Sequence, residues 1–184
     1  ANAQTTGPTV TIDRTGPTVT INQAAGQSDP TNLSPIEFTA VFNETVSNFA
    51  TGDVVITGTS GATTGVVTGS GTTYNVAVSN MANDGTVIAA INAGAATDTA
   101  GNSSAASTTT DDTVTYDTTI PTVTINQAGG QLDPTNASPI NFTVVFSETV
   151  TGFVTGDVTL SGTAGATTAV VTGSGTTYNV AVTG

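Results

Sequence analysis

The sequence predicts an all-β protein made of tandem β-sandwiches with about seven strands in each. Three observations lead there: a composition rich in Thr, Val and Gly, short runs in which apolar and polar residues alternate, and a long internal repeat. Of 184 residues, 43 are Thr and 21 are Gly, while Leu occurs only at 33, 132 and 160. Branched side chains lose little freedom on a pleated strand and pack well across it, whereas good helix formers are scarce here.

The repeat sets the domain plan. Pro17-Thr18-Val19-Thr20-Ile21-Asn22-Gln23-Ala24 returns as Pro121-Thr122-Val123-Thr124-Ile125-Asn126-Gln127-Ala128, a shift of 104 positions. In that register 48 of 64 residues are identical between 17–80 and 121–184. A match of this kind means tandem copies of one module. The same shift lays Thr9-Val10-Thr11-Ile12-Asp13 on Thr113-Val114-Thr115-Tyr116-Asp117. Residues 1–16 are therefore expected to be the last strand and linker of a preceding copy, 17–120 a complete repeat, and 121–184 a second repeat lacking the counterparts of Met81 to Ile120.

Within one repeat the elements follow in order. Val19 to Ile21 opens as a short strand whose Thr18 and Thr20 face solvent while Val19 and Ile21 face inward; Val123 and Ile125 are expected to do the same. Ile36, Phe38, Ala40 and Phe42 alternate with Glu37 and Thr39, the period of a half-buried strand. Val54 to Ile56 and Thr64 to Thr68 read as strands, with Gly69-Ser70-Gly71 as a turn before the alternating Tyr74, Val76 and Val78. Asn83-Asp84-Gly85 makes the next turn, followed by strands at Thr86 to Ile91 and Val114 to Tyr116. Seven short strands in about 100 residues is the count of an immunoglobulin-like sandwich. Phe38, Phe42, Phe49 and Tyr74 recur at Phe142, Phe146, Phe153 and Tyr178, and their alternation assigns them to the core between the sheets.

The composition also excludes chemistry. There is no His, no Cys and no Trp, and the one basic residue is Arg14. Imidazole or thiolate catalysis and the usual zinc ligands are thereby missing. A net charge of -12 repels a phosphate backbone, so nucleic acid is not an expected partner. No window reaches the roughly 18 apolar residues of a membrane span, so no membrane insertion is expected in this segment. Ala1-Asn2-Ala3-Gln4 has the form of a signal-cleavage site but lacks an apolar stretch before it. Paired carboxylates can hydrolyse glycosides, yet each acid here sits in a turn of a repeated module, and no enzyme activity is expected. Asn-x-Ser/Thr triplets such as Asn32-Leu33-Ser34 and Asn136-Ala137-Ser138 fit the glycosylation pattern. The Thr-x-Thr pairs are more simply a strand's solvent face than an ice-binding surface.

The Pro-Thr-Val-Thr-Ile openings, Phe42-Asn43-Glu44-Thr45-Val46 with its copy Phe146-Ser147-Glu148-Thr149-Val150, the Gly52-Asp53-Val54 step, and Ala96-Thr97-Asp98-Thr99-Ala100-Gly101-Asn102 together resemble the bacterial Ig-like domains found in tandem on large surface proteins and adhesins. The resemblance covers nearly the whole chain, although the family often has Pro where Thr45 and Thr149 stand. It implies an extracellular, cell-surface stalk whose partners are neighbouring repeats, with calcium bound at domain junctions in related types.

The acids are the groups left to build a site, and calcium suits them as a hard cation taking about six to eight oxygens. In a sandwich of this kind, Glu44, Asp98 and Asn102 are expected to approach the entering linker with its Asp13. Asp117 would meet Glu148 and Asp157 at the next junction, and Asp29, Asn32 and Asp84 lie at the opposite end of the repeat. Each of these residues has a second reading, an Asx turn closed on its own backbone. The expected function is a non-catalytic structural module, a stalk or filament segment of an adhesin. The alternative is a binding domain that grips a glycan or host protein through its loops. The identity of the loops Gly69 to Thr73 and Gly173 to Thr177 favours the spacer. A homopolymer formed by donating Thr9 to Asp13 to a neighbour is a further expectation. Residues 1–16 cannot, however, replace the missing counterpart of Thr86 to Ile91.

Overall fold

The computed structural model describes residue 7 and residues 9–184. The Ala1–Gln4 stretch lies outside the described residues. The chain divides into two units, the first ending at Thr118 and the second beginning at Thr119. All strands pair into three antiparallel sheets, and no helix among the described residues is long and apolar enough to cross a membrane.

The first unit contains β1 (Val19–Gln23), β2 (Ile36–Val46), β3 (Val54–Thr57), β4 (Thr64–Ser79), β5 (Gly85–Ile91) and β6 (Thr113–Tyr116). One sheet has the order β1-β2-β4 and the other β3-β5-β6. The period-two pattern decides which side chains go inside: Ile36, Phe38, Ala40 and Phe42 are all buried, as are Val76 and Val78 opposite them and Val87, Ala89 and Ile91 on β5. Both sheets contribute to this one core. Phe42, Phe49 and Tyr74 pack edge to face with centroids 5.0 to 5.8 Å apart. The Tyr74 hydroxyl donates to the Val46 carbonyl at 3.3 Å, so its polar tip is satisfied inside the core.

In the second unit, β7 (Val123–Gln127), β8 (Ile140–Val150) and β9 (Thr168–Thr183) repeat the first sheet in the same register. Phe146, Phe153 and Tyr178 reproduce the aromatic trio at 5.2 to 5.8 Å.

The turn at Gly69-Ser70-Gly71 reverses the chain inside β4: Thr63 N–H donates to the Ser79 carbonyl at 3.4 Å and Asn80 Nδ2 to Thr64 Oγ1 at 2.8 Å, so the two ends of the segment lie side by side. Gly69 takes φ +121° there, and any Cβ on it would meet the Thr73 carbonyl at 2.7 Å. Two local expectations fail. First, Thr9 to Asp13 is no strand: Val10 and Ile12 are 81% and 74% exposed. Its counterpart β6 exists as a strand because it pairs with β5, and among the described residues no strand pairs with 9–13. Second, Val123 and Ile125 do not face into a core. They are 56% and 54% exposed, against 2% and 0% for Val19 and Ile21, because residues 119–184 supply no second sheet to cover them.

Candidate metal centre

The chain entering the first unit is seated between β2 and the 98–104 loop. Thr18 N–H donates to Asn43 Oδ1 at 2.7 Å, and Asn43 N–H donates back to the Thr18 carbonyl at 3.1 Å. From the other side Asn102 Nδ2 donates to the Thr15 carbonyl at 3.4 Å. A Cβ on Gly16 would stand 2.1 Å from the Ser103 carbonyl oxygen, so only glycine allows the linker this close to the 98–104 loop. Pro17 is fully buried, and its carbonyl accepts from Ala105 N–H at 2.8 Å.

This seating brings three carboxylates together. Oxygens of Asp13, Glu44 and Asp98 all lie within 4.8 Å of one another, with Asp13 exposed, Glu44 half-buried and Asp98 buried. Glu44 reaches the group from near the end of β2, and Asp98 from the loop that follows β5. Asp98 is held rigidly: Oδ1 accepts from the Ala100 and Asn102 backbone N–H groups, each at 2.8 Å, and Oδ2 accepts from Asn102 Nδ2 at 2.8 Å. Asn102 therefore positions the acid and joins it to the linker. Asp13 Oδ1 accepts from Thr15 N–H at 3.0 Å.

The Asp98 side chain closes a turn and also faces two further carboxylates. A carboxylate oxygen has two acceptor directions, so Oδ1 is filled while Oδ2 keeps one free. Two oxygens bound to one divalent cation at about 2.4 Å stand at most about 4.8 Å apart. The three acids are a group that could hold one metal ion.

The hydrogen bonds on Asp98 favour its ionised form. The Asn102 side chain lowers its pKa most; burial opposes this, and the backbone N–H groups of the loop lower it further. The folded value lies below the unfolded one, so the contribution to stability is present above the unfolded pKa and is lost as pH falls through the folded value. Urea midpoints of the first unit should therefore decline as pH is taken below 3.8. Asp98→Asn should flatten that decline; a profile of unchanged steepness in the variant would refute the assignment.

The other expected ligands are placed differently. Asp117 stands one residue before the end of the first unit, and its N–H donates to the Thr31 carbonyl at 2.9 Å. Glu148 occupies on β8 the place Glu44 has on β2, and its Oε1 is buried with no hydrogen-bond partner among the described residues. Asp157 acts as a turn former, with Oδ2 accepting from Val154 N–H at 2.9 Å, as Asp53 does from Ala50 N–H at 2.8 Å. Asp29 and Asp84 also hold backbone, accepting from Thr115 and Thr118 N–H respectively.

Sequence reasoning overlooked Asn43 and Gly16. The Gly16-Pro17 pair was the available signal for a close approach, and the second unit preserves the Asn43 contact with other chemistry, Ser147 Oγ accepting from Thr122 N–H at 2.9 Å. Comparison with protein-family models and with curated proteins finds no match.

Proposed function

We propose that this chain is a non-catalytic structural segment, a run of immunoglobulin-like sandwiches in the stalk or filament of a bacterial cell-surface adhesin, with calcium at the points where one repeat leads into the next. The observation that carries the reading is the duplication of the packing itself. Both units keep the same ladder register and the same aromatic trio, and each tyrosine hydroxyl donates to the equivalent carbonyl, Val46 or Val150. Phe38, Phe42, Phe49 and Tyr74 are all held constant between the copies, as an array built from one packing unit requires.

The Asp13, Glu44 and Asp98 group supports the calcium part, since it brings the entering linker to β2 and the loop after β5. A bound divalent cation would offset the repulsion among three acids and hold that linker in place. Thermal unfolding with calcium and then with excess chelator tests this. The expected result is a higher melting temperature of the first unit in calcium, lost in the Asp13→Asn/Glu44→Gln double variant. Scattering in the same two buffers should show a larger maximum dimension with calcium. If neither quantity responds to the ion, the acids are turn formers and the calcium proposal fails. Specific binding on a glycan array would instead favour an adhesin domain that recognises its own ligand.

A further inference from the structure

The second unit presents an apolar face that its own described residues leave open. Ile125, Phe142, Val158, Leu160, Val180 and Val182 line a cleft of about 210 Å³ on the inner side of β7-β8-β9. In the first unit the equivalent face is covered by Val87, Ala89 and Ile91 of β5 and Val114 of β6, each no more than 2% exposed. Along the cleft Ile125, Phe142, Val158, Val180 and Val182 keep the residues of the first unit, while Thr159, Leu160 and Ser161 stand in place of Val55, Ile56 and Thr57.

Two unpaired backbone edges border the open face. Val54–Thr57 is a strand in the first unit because it pairs with β5, from Val54 opposite Ile91 to Thr57 opposite Ile88. Its counterpart, residues 158–161, forms no ladder. Likewise β1 is flanked by residues 108–111, with Ile21 N–H donating to the Thr108 carbonyl at 3.1 Å and Thr108 N–H to the Val19 carbonyl at 3.0 Å. Residues 119–184 place no such segment beside β7.

We infer that this face is a docking site for a strand segment of the repeat's own kind, with the pattern of residues 85–116. Its β5-like strand pairs antiparallel with residues 158–161 and sets alternate Val, Ala and Ile side chains into the cleft; the stretch that follows runs along the free edge of β7. Apolar area and backbone hydrogen bonds act together in such strand addition. A second copy stacked face to face would cover the apolar area but leave residues 158–161 without partners, an unfavourable arrangement for buried N–H and C=O groups. Thr9 to Asp13 of another copy has the pattern of β6, which in the first unit pairs with β5 and not with β3. It does not fit the edge at 158–161.

The test is to titrate the full chain with a synthetic peptide of residues 81–117 and follow hydrogen exchange residue by residue. The expected result is saturable 1:1 binding, with exchange at 158–161 and 123–127 slowed on the order of tenfold or more, as for newly closed backbone bonds, and no change at 54–57. A peptide carrying Val87→Asp and Ala89→Asp should have no effect. Should the free peptide aggregate, the same segment appended after Gly184 provides the second format, with the same protection expected. Absence of protection in both formats, while circular dichroism shows the chain folded, overturns the inference. So does protection confined to the first unit. Concentration-dependent dimers of the chain alone that protect the same amides would make a second copy the occupant and equally overturn it.

Discussion

Phe38→Ala is expected to cost the first unit about 3 to 5 kcal/mol, the usual range for deleting a fully enclosed aromatic ring, while Phe142→Ala costs the second unit about 1 to 2 kcal/mol, since a partly buried ring loses only part of its transfer energy. The two residues are the same amino acid in the same register, paired with Val76 in one unit and Val180 in the other. They differ in what lies above them. Phe38 is 0% exposed beneath the second sheet, whereas Phe142 borders the open cleft. Urea unfolding followed separately in each unit by exchange-protected amides measures both values. Equal costs would mean that the face of the second unit is covered in solution by something residues 119–184 do not provide.

Gly58→Ala should be the second severe change, and Gly162→Ala its milder counterpart. Both glycines hold left-handed backbone, at φ +110° and +119°. A side chain there costs about 1 to 3 kcal/mol at either position. Only Gly58 adds a collision, since its Cβ would lie 2.2 Å from the Thr86 carbonyl oxygen and 2.7 Å from the carbonyl carbon, backbone atoms of β5 that cannot turn aside. Gly162 has open space around the same vector. With a urea dependence of about 1 to 3 kcal/mol per molar for small domains, the Gly58 variant should lose at least about 1 M more in midpoint than the Gly162 variant. Equal losses would show that β5 yields to the methyl group.

Much of the strand pattern was legible because alternation is a local property. Ile36, Phe38, Ala40 and Phe42 announce a buried face by their spacing alone, and each is inside. The Gly69 to Gly71 turn was legible for the same reason, and the chain folds back there, Thr63 N–H meeting the Ser79 carbonyl. Thr9 to Asp13 differs from its counterpart because a strand needs a neighbour, and the string TVTID does not say whether one is present. Among the site residues, Asp13, Glu44 and Asp98 are 31 and 54 positions apart along the chain, taken in turn, yet share one point in space. The repeat register and the order of loops in a sandwich indicated which ends meet. The Asp53 and Asp157 side chains each close a short turn.

The sequence by itself determined the strand-forming composition, the 104-residue repeat, the inward aromatic residues, and the lack of imidazole, thiol and indole chemistry. These depend only on which side chains are present and how they are spaced. Only the folded arrangement shows that Asn43 and Gly16 seat the linker against β2 and the 98–104 loop. It also decided that identical segments behave differently in the two units: Val19 and Ile21 are core, while Val123 and Ile125 are surface. Burial and strand pairing are properties of pairs of segments, so the same residues take opposite roles wherever the partner segment differs.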